Sequence, residues 1–136
     1  MKHIFKPGDV KYYRKVVTTA DLATFAAGQV HPVCATFALA REMEWASRLF
    51  VLEMLDEDEE GIGTQLSIKH LSPALAGEEL QLEARVQSLA GHEILCALEV
   101  KVGDRLIATG VTGQKILKKS KIAGLLRNIN HGGKEK

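Results

Sequence analysis

The sequence predicts an α+β domain in which a five-stranded antiparallel sheet curls around one long buried helix. Three observations carry this. Wound at about 100° per residue, Phe37 to Leu55 is apolar on nearly every face. Arg41, Glu42, Glu44, Ser47, Arg48 and Glu53 interrupt it too often for a membrane span. After Thr64 the apolar period changes to two, broken by turn residues into four stretches, and one strand-like stretch precedes the helix. With 136 residues, 46% hydrophobic and 26% charged, the chain supplies one core rather than two. We assign residues 1–117 to a single domain and 118–136 to a basic tail.

From Asp9 to Thr18, after Pro7-Gly8, Val10, Tyr12, Val16 and Val17 mix with Lys11, Arg14 and Lys15, the composition of an edge strand. Thr18-Thr19-Ala20-Asp21 is a Thr-x-x-acid capping pattern. Leu22, Phe25 and Ala26 follow at helical spacing up to Gly28, which predicts a short helix. His31-Pro32 disfavours helix and makes 29–35 a connector, with Thr36 as N-cap of the main helix. The acids Asp56 to Glu60 suit neither the negative end of a helix dipole nor calcium-loop spacing, and read as a solvated loop before a Gly61-Ile62-Gly63 turn. Leu66, Ile68 and His70 then share one strand face. Leu80 to Val86, Ile94 to Val102 and Arg105 to Leu117 continue as consecutive antiparallel hairpins. A sheet with a mixed outer face and open edges predicts at least a dimer. In the tail, Ile122, Leu125, Leu126 and Ile129 form a short amphipathic stretch, with fraying expected from Gly132-Gly133 onward.

Composition excludes several functions. A net charge of +1 and 5% aromatics give neither a field nor a stacking surface for nucleic acid, and no membrane segment is present. Two cysteines and the absence of a targeting segment at the start point to a reducing, cytoplasmic setting. No CxxC, HExxH, GxGxxG or P-loop spacing occurs, which leaves no metal site and no nucleotide cofactor.

Three polar residues fall near apolar surroundings. Thr36 sits where a helix N-terminus offers free N–H groups to an oxyanion, although spacing alone favours a plain cap. Glu44 lies eight residues on and on roughly the same side; its bland alternative is an ion pair with Arg41 or Arg48. His70 is either a satisfied core histidine or the partner of Glu44 in acid–base chemistry. Weaker candidates are a His31–Cys34 thiol–imidazole pair, an exposed His92, and Lys118, Lys119 and Lys121 as phosphate contacts.

The run Ala35-Thr36-Phe37 to Met43-Glu44-Trp45-Ala46, followed by Gly63-Thr64 to Ile68-Lys69-His70, resembles the hotdog-fold thioesterases of the fluoroacetyl-CoA thioesterase type. The resemblance covers about Val16 to Leu117. It implies a hotdog fold, a homodimer or dimer of dimers with the acyl pocket at the subunit interface, and hydrolysis of an acyl-CoA. Coenzyme A is then part of the substrate, and no separate cofactor is implied. It further implies that Glu44 activates water or attacks the thioester carbonyl, His70 assists, and Thr36 orients the reacting groups. Phe37 at the helix start and Gly63 beside the pocket contact substrate on the same basis. Two departures stand out. Ala27 and Val30 occupy the segment where fluoroacetyl-specific enzymes carry lid phenylalanines, which argues against fluoroacetate specificity. Thr112, Gly113 and Gln114 stand where the family tends to place a His and an Arg.

Two competing readings remain at this point. A non-catalytic acyl-CoA-binding module would keep the fold with Glu44 in an ion pair. An enoyl-CoA hydratase is suggested by Thr19 to Phe25, but Gly28-Gln29-Val30-His31-Pro32 lacks the Asp of the hydratase signature and misplaces its His.

Overall fold

The computed structural model describes the backbone of residues 1–25 and 28–135 and the side chains of 1–23 and 32–131. Strand β1 (Val10–Val16) leads through a 3-10 turn (Thr19–Asp21) into a hairpin of β2 (Leu22–Phe25) and β3 (Gly28–Cys34). Helix α1 (Thr36–Met54) follows, then β4 (Glu59–His70), β5 (Glu79–Ala90), β6 (Glu93–Val102), β7 (Arg105–Lys118) and helix α2 (Lys119–Glu135). Five strands make one antiparallel sheet in the order β1-β5-β6-β7-β4, as expected for a sheet curled over one long helix.

The core lies between α1 and the concave face of that sheet. Ala38, Leu39, Met43, Ala46, Phe50, Val51 and Met54 pack against alternate residues of β5, β6 and β7, among them Leu82, Val86, Cys96, Val100 and Ile107. The period-two pattern puts these strand residues on one side, and burying such side chains supplies the main driving force. The ring of Phe5 closes the far end edge-on to Phe50, at 4.9 Å between centroids.

Several sequence expectations need correction. The short helix expected from Thr18 onward is a single 3-10 turn. The capping box does form, with the Thr18 N–H and hydroxyl both donating to Asp21, but Leu22 is then drawn into strand pairing with Cys34. Long-range pairing outweighs local helical spacing here, and the connector at 29–35 is largely strand β3. Ala26 and Ala27 lie outside the described residues, as do the side chains of Phe25, Val30 and His31. The α1 cap is Ala35, not Thr36, and it makes no side-chain cap bond. Nor is α1 covered all round within one chain. Phe37, Trp45 and Leu52 are 60%, 41% and 45% exposed, because the sheet wraps only one side.

The acidic stretch is not a solvated loop throughout. Glu59 is buried beside the Met1 amino group, which also meets Asp56, and Glu60 pairs with Arg48. Gly61 and Gly63 belong to β4 rather than to a turn. The meander covers only β5, β6 and β7, since β4 pairs with β7 and not with β5. That crossover leaves β4 at one sheet edge and β1 at the other, the latter as expected. Residues 119–135 form a helix, and its Leu125, Leu126 and Ile129 are exposed rather than docked on the sheet. Among the described residues, no helix is long and apolar enough to cross a membrane.

Candidate active site

Two ends of β4 carry the residues of interest. At its C-terminal end, His70 Nδ1 lies 3.0 Å from Thr36 Oγ1, at the first turn of α1. Neighbouring backbone bonds fix both partners. The Ala35 N–H donates to the Asp21 carbonyl, the Cys34 N–H to Ala74, and the Leu71 and Ser72 N–H groups to Ile107. His70 Nε2 is buried and, among the described residues, has no hydrogen-bond partner. A buried polar atom left open in this way is costly unless something else meets it. The first N–H groups of any α-helix lack intrahelical partners, so Thr36 and Phe37 present donors beside this imidazole. Phe37 is exposed next to them.

Glu44 stands at the other end. Its carboxylate covers Gly63 so closely that a Cβ there would lie 3.0 Å from Oε1. The side chain is exposed. Neither arginine of its helix pairs with it among the described residues. Arg41 binds Asp21 and Glu42, each at 2.8 Å, and Arg48 binds Glu60 at 2.9 Å. The ion-pair alternative is therefore not what the described residues form. Beneath Glu44, Ser47 Oγ donates to its carbonyl at 3.0 Å and Gln114 Nε2 at 3.3 Å, while Thr112 Oγ1 donates to Ser47 at 2.7 Å.

One chain thus joins Thr36 to His70 but sets Glu44 apart. His70 lies seven positions beyond Gly63 along β4, about 23 Å at the usual rise of an extended strand. Thr36 and Glu44 are about 12 Å apart along the axis of α1.

A family model for the fluoroacetyl-CoA-specific thioesterase, FlK, matches residues 17–120. The chain belongs to this thioesterase family. It is accordingly an acyl-CoA thioesterase with a hotdog fold. A hypothetical protein of Thermus thermophilus, described as a thioesterase superfamily member, is 32% identical. It aligns over 98% of this chain and 99% of its own, with a TM-score of 0.90. The fluoroacetyl-CoA thioesterase FlK itself superposes with a TM-score of 0.83 at 19% identity, over 91% of this chain and 96% of its own. A hot-dog-like protein from Thermanaerovibrio acidaminovorans gives 0.83 at 17% identity, over 91% and 92%. No curated protein matches this sequence.

Of the other candidates, the two thiols are the least suited to chemistry. Burial, and then the negative charge of Asp21, push the Cys34 thiol up to about 11, and burial pushes Cys96 up to about 12, so neither is a ready thiolate. His92 is exposed at the β5–β6 turn. Lys118 pairs with Asp58 at 2.9 Å, while Lys119 and Lys121 are exposed. The group that sequence reasoning missed is the buried trio Ser47, Thr112 and Gln114. A signal for it exists: Thr112 and Gln114 share the inward face of β7 with Ala108 and Ile116, where the alternation calls for apolar residues.

Proposed function

We propose that this thioesterase hydrolyses its acyl-CoA at a site assembled from two copies of the chain, Thr36 and His70 coming from one and Glu44 from the other. The observation that carries the site is the Glu44 carboxylate, which no cation pairs with among the described residues although two arginines share its helix. The arrangement of β4 supports the two-copy reading. It is an edge strand, exposed from Ile62 to Ser67, with exposed Phe37, Trp45 and Leu66 nearby in the chain or along the same elements. If β4 pairs antiparallel with its own copy about an axis through Ser67, Gln65 of one chain falls opposite Lys69 of the other and, with Thr64 bulged out as it is against β7, residue 63 falls opposite residue 70. Glu44 of each copy then reaches Thr36 and His70 of its partner. A homodimer is the smallest assembly with complete sites.

In this site Glu44 acts as general base. It takes a proton from water as the oxygen adds to the thioester carbonyl, and the oxyanion faces the helix N–H groups near Thr36 and Phe37. Collapse breaks the C–S bond, releasing the free acid. The departing sulfur of coenzyme A takes a proton through His70, which Thr36 holds by its Nδ1. Gly63 leaves room beside the carboxylate for the reacting group. Ala27 and Val30, standing where the fluoroacetyl-specific enzymes carry phenylalanines, support an acyl group other than fluoroacetyl.

The test is thiol release from a panel of fluoroacetyl-, short, branched, aromatic and long acyl-CoAs, comparing the wild type with folded Glu44→Ala. The expected result is turnover of at least one thioester and a fall of about 100-fold or more in the variant. Equal turnover in Glu44→Ala removes the carboxylate from the mechanism, and preference for fluoroacetyl-CoA overturns the specificity proposed here.

A further inference from the structure

Gln114 is an amide almost wholly buried, 2% exposed, on a strand face that is otherwise apolar apart from Thr112. Its backbone and its side chain reach two different parts of the carboxylate end of the site. Through the β4–β7 ladder its main chain pairs with Gly63, the residue over which the Glu44 carboxylate lies. Through Nε2 it donates to the main-chain carbonyl of Glu44 at 3.3 Å and to Ser47 Oγ at 3.4 Å. Ser47 in turn donates to the carbonyls of Met43 and Glu44 at 3.2 and 3.0 Å, and Thr112 donates to Ser47.

A carbonyl in mid-helix is ordinarily satisfied by the N–H four residues on, so two side-chain donors at Glu44 exceed what satisfying the backbone requires. They tie α1 to β7 at the turn from which the carboxylate projects. Burying three polar side chains costs desolvation that an apolar trio of the same volume would avoid. The return is geometric. One residue holds the glycine floor by its backbone and the helix by its side chain.

We propose that Gln114, acting with Ser47 and Thr112, is a positioning residue that fixes the Glu44 carboxylate over Gly63. The proposal rests on the assignment of Glu44 as the base. The Gln114 amide bonds the Glu44 carbonyl and the Ser47 hydroxyl, so it acts through the main chain of α1.

The variant that tests this is Gln114→Met, which keeps the length of the side chain and removes the donor. It is compared with the wild type and Glu44→Ala by steady-state kinetics on the preferred acyl-CoA, by thermal unfolding, and by the Hα–Hβ couplings of Glu44 in isotope-labelled full-length protein. We expect kcat to fall about tenfold with KM within about twofold. The Glu44 couplings should shift from one rotamer towards an average while those of Glu53, on the same helix, stay fixed. An unchanged kcat, a rise confined to KM, or Glu44 couplings equal to the wild type would each overturn it. Full turnover by Glu44→Ala defeats the base assignment instead, and the couplings alone then decide whether Gln114 holds Glu44. Should Gln114→Met not fold, Gln114→Asn stays polar but is one methylene too short to reach the helix, and the same readouts apply.

Discussion

A missing methyl group shapes the carboxylate end of the site. Gly63 has no positive φ, so alanine there meets no backbone strain, yet its Cβ would lie 3.0 Å from Glu44 Oε1 and 3.7 Å from Cδ. We expect Gly63→Ala to lower kcat about tenfold or more by displacing the carboxylate, with an unfolding temperature within a few degrees of wild type. Kinetics and thermal unfolding of the same preparation check both halves. At this scale the sequence exposed the residue types but not their relations. Thr36, Glu44 and His70 stand out because polar groups interrupt apolar patterns. Which arginine pairs with which acid is decided by Asp21 and Glu60, which come from outside α1. No local spacing encodes those partners.

Elements are tied together by a few long-range contacts, and two of them make predictions. Asp21 anchors the 3-10 turn to α1 through Arg41, with Lys15 of β1 3.9 Å away, and Tyr13 of β1 donates to Glu42 at 3.2 Å. Burial pushes the Asp21 carboxyl up, but the bonds from Thr18 and Arg41 and the charge of Lys15 outweigh it and hold it below the usual range. Its contribution to stability is therefore full above the unfolded-state value of about 3.9 and is lost as pH falls through the lower folded-state value. The urea midpoint should hold from neutrality to about pH 5 and fall below about pH 4, while Asp21→Asn should start lower at pH 7 and fall less steeply. The second contact is Gly110, where a Cβ would come within 2.3 Å of the Ser67 carbonyl and 2.6 Å of Met43 Cε. Gly110→Ala should prise β4 from β7 and cost about 2 kcal/mol or more, read from urea unfolding. The limits of α1 and the alternation in β5 to β7 could be read directly from periodicity. The β2–β3 hairpin could not, because Leu22 and Cys34 pair across a segment whose own spacing favours a helix.

For the whole molecule, the sequence pattern indicated five strands and one helix but not that β4 lies beside β7, since strand order depends on which edges meet in space. That placement leaves β4 open along its outer edge and sets Glu44 apart from His70. If each site draws on two chains, a mixture of inactive Glu44→Ala and His70→Ala proteins, exchanged to equilibrium, regains activity. Half the dimers are then mixed, each holding one site with both residues and one with neither, which predicts about a quarter of wild-type turnover by random pairing. A site contained in one chain would regain none. A site shared between two chains would also make catalysis a matter of mass action. Diluted below the constant for such self-association, the enzyme would lose its activity, so turnover per chain would report how many copies are present to meet.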